Sequence, residues 1–303
     1  MQLTVLGKSP SWQDVDGACS GYLIEEGDTT LLLDCGGGVF SKLRRYRDYA
    51  SVDAVVISHL HADHILDLVP YSYALLYSPR LHSEEQGATA ASLEIPTAAP
   101  AAGGAPATTG GAGAGPDRGT AEVSSSPSSG RQGPSRPRLF APPGSAATFR
   151  RIVGSWGSEE LIERAFELAE YDPEDTVTVG PLRVRFRPVP HYVPTFAVDV
   201  SSTQGTGRVT YGADHRPTAD LVEFAQGADL LLIEATLVEP EHDEPRGHMT
   251  PAEAGEHGSR AGVGRLVLTH ITDELDQEWA AREATRTFGQ PVTVAREGDV
   301  FTV

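Results

Sequence analysis

Ser58-His59-Leu60-His61-Ala62-Asp63-His64, directly after the apolar run Ala54-Val55-Val56-Ile57, is the stretch on which the reading of this chain turns. Three imidazoles and a carboxylate in the order His-x-His-x-Asp-His have few uses other than binding metal. This donor mixture suits zinc, iron or manganese better than calcium or magnesium. In a loop leaving a strand, His59 and His61 can bend round one ion. Asp63 and His64 fall where a following helix over 65–77 is expected to begin, and can face a second ion. These ligands cannot close two sites, so the motif predicts others downstream.

A chain of 303 residues can bury one large core or two smaller ones. Its hydrophobic fraction, 39%, is lowered by a tract over 86–137. Between Pro96 and Pro137 only seven residues are anything other than Ala, Gly, Pro, Ser or Thr. Such a segment cannot bury enough apolar surface to offset its ordering entropy. It reads as a disordered insertion into a single domain spanning 1–303, because metal-ligand candidates lie on both sides of it. No run approaches the length of a membrane span, and residues 1–7 alternate like a strand rather than a signal peptide. Cys19 and Cys35 do not make a disulfide framework, so a reduced, cytoplasmic setting is expected.

The formal charge is −18 and the pI about 4.9. That weighs against long nucleic acid as the main partner, since such binding rests on phosphate neutralisation. The one candidate basic patch, Lys42, Arg44, Arg45 and Arg47, reads as the solvated face of a short helix over 39–47.

Strands are expected at 2–6, 20–25 and 29–34, the last two joined by the turn Glu26-Gly27-Asp28. Asp34-Cys35-Gly36-Gly37-Gly38 is not a phosphate-binding P-loop, because no Gly-Lys-Ser/Thr follows, and it reads as a structural turn bordering the site. A strand at 138–141 is followed by a helix over 158–171, with Ser158 as N-cap and Leu161, Ile162, Ala165, Phe166, Leu168 and Ala169 as its apolar face. Further strands fall at 182–189, 195–202, 208–211, 229–233 and 265–269, and at 292–295 and 299–303 near the chain's end. Helices are expected near 218–225, from Thr250-Pro251-Ala252-Glu253 to about 261, and over 276–288. Two groups of strands flanked by helices suggest two sheets with helices outside.

His191, Asp214 and His270 each stand just past a strand end, as His59 does. Residues delivered from several strand ends onto one rim are how a sandwich assembles a site. With Ile233-Glu234-Ala235-Thr236, Gly247-His248-Met249-Thr250 and Leu266-Val267-Leu268-Thr269-His270 added to the opening motif, the sequence resembles the metallo-β-lactamase fold hydrolases, specifically the ribonuclease Z-like branch. Val5-Leu6-Gly7, Asp34-Cys35-Gly36-Gly37-Gly38 and the stretch from Ser58 to Leu68 make the actinobacterial atypical class II cyclic nucleotide phosphodiesterases the closer likeness within it.

The resemblance implies an α/β, four-layer αββα sandwich of two mixed sheets. It implies two divalent ions, zinc by preference and manganese or iron as alternatives. His59, His61 and His191 would hold the first, Asp63, His64 and His270 the second, with Asp214 between them. It further implies a phosphodiesterase that uses a hydroxide shared by the ions. His248 would be the general acid, Asp63 would orient or deprotonate the water, and Glu234 would hold His248. Cyclic nucleotides are the expected substrates, transfer-RNA 3′ processing and lactone or other ester hydrolysis the alternatives, and a homodimer is common among relatives. Two departures stand out. The usual Gly-Asp-Thr reads Ala213-Asp214-His215, with His215 expected to point to solvent or else to modulate the substrate end of the pocket, and the branch's RNA-gripping arm is not recognisable.

Overall fold

The computed structural model describes residues 1–82, 136–205, 207–241 and 245–303. The 86–137 tract lies outside them except for Arg136 and Pro137, and so does His242. Those two residues already belong to the folded edge. Arg136 donates to the Glu163 carbonyl at 2.9 Å, and the Pro137 carbonyl accepts from the Glu167 amide at 2.9 Å.

Alternation along the strands decides the layering. Leu31 and Leu33 enter one core while Leu32, between them, enters another. In the same way Leu230 and Leu232 face inward while Leu231 and Ile233 face outward. A strand that is apolar on both faces needs cover on both faces. The described chain meets this need with two seven-stranded sheets packed face to face and helices on each outer side.

The first sheet contains β1 (Gln2–Gly7), β2 (Gly21–Glu26), β3 (Thr29–Leu33), β4 (Ala54–Val56), β5 (Arg138–Ala141), β6 (Glu167–Glu170) and β14 (Val300–Thr302), in the order β14-β1-β2-β3-β4-β5-β6. The second contains β7 (Thr176–Val179), β8 (Leu182–Val189), β9 (Thr195–Ser202), β10 (Arg208–Tyr211), β11 (Leu230–Glu234), β12 (Leu266–Thr269) and β13 (Thr293–Val294), in the order β13-β12-β11-β10-β9-β8-β7. Each sheet is antiparallel in one half and parallel in the other. The inter-sheet core includes Leu3, Val5, Tyr22 and Ile24 against Val184, Phe186, Val198 and Val200.

Outside the first sheet lie α1 (Val39–Tyr46), α2 (Ala62–Ile65), α3 (Leu68–Tyr77), α4 (Pro79–His82), α5 (Ser145–Gly154) and α6 (Leu161–Ala165). Outside the second lie α7 (Ala219–Phe224), α8 (Pro251–Ala261) and α9 (Gln277–Phe288). The expected start of α8 is present in full. The Thr250 hydroxyl accepts from the Glu253 amide, Glu253 answers at the Thr250 amide, and Pro251 takes the first turn. The basic residues near α1 are engaged locally. Lys42 pairs with Glu297, Arg47 with Glu25, and Arg44 lies over the Phe40 and Tyr49 rings.

Two helix expectations are corrected. The helix over 158–171 is confined to α6, and Glu167–Glu170 is instead strand β6, paired in parallel with β5. The open edge of β5 takes those backbone groups as ladder partners, which outweighs the weak helical pattern of Leu168 and Ala169. The helix over 65–77 is divided into α2 and α3. Pro70 has no amide hydrogen to give the Leu66 carbonyl, so it fits the first turn of a new helix but not the interior of a continuous one. Helix α5 and the short strand β7 have no counterpart among the expectations from sequence.

Candidate metal centre

Strands β10, β11 and β12 run parallel, and two antiparallel steps through β9 give β8 the same direction. Their carboxyl ends therefore share one rim, which is where α/β sheets expose functional residues. Beyond β8 stands His191, beyond β10 Asp214, at the end of β11 Glu234, and beyond β12 His270. Beyond β4, in the other sheet, stands the 58–64 loop. His270 and Ala213 adopt positive φ, 54° and 55°, so the backbone turns sharply at the points where side chains are aimed at the rim.

The expected residues come together in two adjoining groups. In the first, His59 Nε2 lies 3.2 Å from His61 Nδ1, which lies 3.1 Å from His191 Nε2. In the second, His64 Nε2 is 3.4 Å from Asp63 Oδ2 and 3.4 Å from Asp214 Oδ2. His270 Nε2 closes that group at 3.2 Å from Asp63 Oδ2 and 3.1 Å from Asp214 Oδ2. Asp214 stands between the groups, with Oδ2 also 3.8 Å from His59 Nε2. The donor atoms within each group lie within 4.8 Å of one another.

This arrangement fits divalent ions. His64 Nε2 and Asp214 Oδ1 are buried with no hydrogen-bond partner, a costly state for atoms that have no other task. The opposite ring nitrogens are held elsewhere. His64 Nδ1 sits 2.7 Å from Asp34 Oδ2, His191 Nδ1 donates to the Gly247 carbonyl at 2.8 Å, His270 Nδ1 is 2.8 Å from Thr236 Oγ1, and His59 Nδ1 is 3.1 Å from Ser58 Oγ. Such partners set tautomer and ring orientation and leave Nε2 for a ligand. Burial and neighbouring imidazoles push His59 well below its ordinary pKa, and burial lowers His61 and His191. Neutral imidazole is the form that binds metal. Burial opposes ionisation of Asp214, but His270 and His64 outweigh it and hold the carboxyl well below the usual range.

Asp34 and Thr236 were not singled out from sequence. Asp34 is fully buried at φ 57° and also accepts from Ser58 N and Oγ at 2.7 Å each and from the Tyr211 hydroxyl at 3.0 Å. An acidic residue at a strand end before Cys35-Gly36-Gly37 was the available signal. The glycine turn borders the site as expected, because a side chain at Gly36 would run into the Asp63 carbonyl.

His248 lies at the edge of the second group, its ring stacked on His270 at 5.5 Å between centroids. Its Nδ1 is 2.9 Å from Glu234 Oε1. Burial resists charge on His248, but Glu234 prevails and lifts its pKa to about 9. Glu234 also accepts from the His215 amide at 2.8 Å and from Thr236 Oγ1 at 2.7 Å.

The expected solvent-facing pose of His215 is corrected. The side chain is fully buried beside Gly212 and His257, with Nδ1 donating to the Ala213 carbonyl at 3.1 Å. The turn that aims Asp214 at the cluster sends its neighbour the opposite way, under α7 and α8. Burial depresses its pKa to about 4. Among the described residues no helix is long and apolar enough to cross a membrane.

Residues 129–271 match the family model "Beta-lactamase superfamily domain", and residues 1–85 match the model "Anti-Pycsar protein Apyc1". The chain is 27% identical over 301 residues to the probable metallo-hydrolase YhfI of Bacillus subtilis, covering 99% of both proteins. It is 28% identical over 320 residues to the ribonuclease Z of Natronomonas pharaonis, covering 93% of this chain and 91% of that one. The crystal structure of YhfI, a metallo-β-lactamase fold protein, covers 99% of both chains with a TM-score of 0.74 at 24% identity. That of a diphosphatase from the PhnP family gives 0.63 at 16% identity, covering 99% of this chain and 96% of the other.

Proposed function

We propose that this chain, which has the metallo-β-lactamase fold, is a two-metal hydrolase of small phosphodiesters, with 3′,5′-cyclic nucleotides as its substrates. One observation carries the reading: two adjoining His/Asp groups meet at Asp214, with His248 held beside them by a buried carboxylate. His59, His61 and His191 would hold one ion, Asp63, His64 and His270 the other, and Asp214 both. When bound, such a pair of divalent ions supplies an activated water near neutral pH and offsets the charge that builds on the phosphate. Zinc is the preferred ion, and manganese and iron suit the same donors.

The remaining chemistry falls to side chains. Asp63 Oδ2 faces His64 and His270, leaving Oδ1 to orient the attacking water or accept its proton. Expulsion of an alkoxide requires a proton at the leaving oxygen. His248 engages Glu234 through Nδ1, so the transferable proton resides on Nε2. Glu234 keeps that imidazole both charged and oriented.

Ribonuclease Z activity is the second reading, supported by the relative of that name. The charge of −18 opposes it, because an RNA substrate brings dense negative charge that a protein must neutralise. Hydrolysis of a lactone or another ester is the third, since one fold serves many substrates. A side-by-side assay of metal-loaded protein on cyclic AMP, a precursor transfer RNA and a lactone decides among them. Preferential turnover of cyclic AMP is expected, and cleavage of the RNA at its 3′ end with comparable efficiency overturns the ranking.

A further inference from the structure

Tyr192 follows His191 directly in the loop between β8 and β9, and its setting differs from that of a packing residue. The ring leaves 46% of the residue exposed, yet it is held on several sides. Its centroid lies 4.8 Å from the His191 imidazole and 5.8 Å from that of His248. Gly247 admits it, because any side chain there would overlap the tyrosine ring. Glu241 Oε2 lies 3.4 Å from both the tyrosine hydroxyl and the Gly247 amide nitrogen, two long contacts on the outer side of the ring. Because His191 Nδ1 donates to the Gly247 carbonyl, the candidate ligand, the glycine and the tyrosine form one connected wall.

We infer that Tyr192 is the specificity-determining platform on which the nucleobase of the substrate stacks. The inference rests on the proposed phosphodiesterase reading and adds to it the part of the substrate that the metals cannot recognise. A phosphate at the His/Asp groups leaves the base one sugar away, and the Tyr192 ring flanks those groups beside His191 and His248. An aromatic face takes any base, so the platform selects for the presence of a base more than for its identity. Its immobilisation matters as well, since a ring already ordered loses little freedom when a ligand stacks on it.

The test compares 3′,5′-cyclic AMP with the base-free ribose 3′,5′-cyclic phosphate on metal-loaded protein, together with calorimetric binding of AMP. The unaltered chain, Tyr192→Phe, Tyr192→Leu and Tyr192→Ala are measured, each with its metal content. The ratio of kcat/KM for cyclic AMP over the base-free compound is expected to fall about tenfold in Tyr192→Ala, through KM, and to persist in Tyr192→Phe. AMP affinity should weaken by a similar factor in Tyr192→Ala and Tyr192→Leu, the leucine keeping bulk against Gly247 if the alanine variant folds poorly. Equal losses toward both compounds, or a phenylalanine variant as impaired as the alanine one, overturn the inference. If the unaltered protein hydrolyses neither compound, the phosphodiesterase reading fails, and calorimetry still decides the tyrosine. An unchanged AMP affinity in Tyr192→Leu then overturns the platform, and a tenfold weakening upholds it.

Discussion

The two candidate ligand groups differ in burial and in charge. His59, His61 and His191 are all imidazole, and two of the three reach solvent; Asp63, His64, Asp214 and His270 are all buried and include two carboxylates. Asp34 adds a third carboxylate behind His64. A divalent ion gains most where anionic donors sit away from water, so the second group should hold its ion more tightly. The first group is uncharged and partly open to solvent. Its aromatic neighbour Tyr192 stands on that same open side.

The largest expected effect breaks both groups at once. Asp214→Ala should bring metal content from two ions per chain to below one, measured by elemental analysis. It should also lower turnover of bis(p-nitrophenyl) phosphate by ~10³-fold or more, since several kcal/mol of charge stabilisation goes with the ions. A variant that keeps both ions would remove Asp214 from its position between them. His248→Ala comes next and separates acid catalysis from metal binding. Turnover should fall by the ~10²–10⁴ of one acid-base group while two ions stay bound. Full activity there would free His248 of any role.

Asp34→Asn then sharpens the contrast between the groups. Asparagine tolerates the left-handed backbone at this position, so the change isolates the charge behind His64. Affinity for the more tightly held ion should drop ~10- to 100-fold, with the weaker site nearly unaffected, in a competition titration against a chelator. Equal weakening of both sites would mean that burial and charge do not distinguish them.

The same contrast explains what could be read from sequence. His59, His61, Asp63 and His64 are local, and their spacing carries chemistry before any fold is known. His191, Asp214 and His270 are single residues at the ends of separate strands, legible once β8, β10 and β12 were recognised from their apolar runs. Those strands and helix α8 have strong periodicity or capping chemistry. By contrast, β6 is a mostly exposed edge strand whose pairing with β5 is a tertiary fact with little local signature. Asp34 is legible from sequence only as part of a turn, because its task, steadying His64, depends on a neighbour thirty residues away. His215 misled because a polar residue beside a ligand suggests exposure, while the turn at Ala213 directs it inward.

The smallest effect tests the assumption of neutral imidazole outside either ligand group. His257 on α8 is buried, its Nδ1 2.8 Å from the Glu253 carbonyl and its Nε2 3.1 Å from both the amide nitrogen and the carbonyl oxygen of Thr218. Burial is the largest cause of its lowered pKa, and Arg260 contributes in the same direction. In the unfolded chain the imidazole protonates near its ordinary value of about 6.5. Below that pH the unfolded chain binds a proton that the folded chain refuses, so stability is intact above about 6.5 and declines as pH falls. Urea unfolding of chelator-treated protein at pH 7.5 and 5.5 should show this loss, to which a single histidine adds at most about 1.4 kcal/mol per pH unit. His257→Gln should reduce the loss, and the remainder should come from His215, depressed to about 4 by burial, together with His59, His61 and His191, which burial also lowers. If the pH dependence survives unchanged in His257→Gln, the imidazole on α8 is not held neutral by its surroundings. The same physical argument would then weaken for His59, His61 and His191, whose readiness for metal rests on burial acting in the same way.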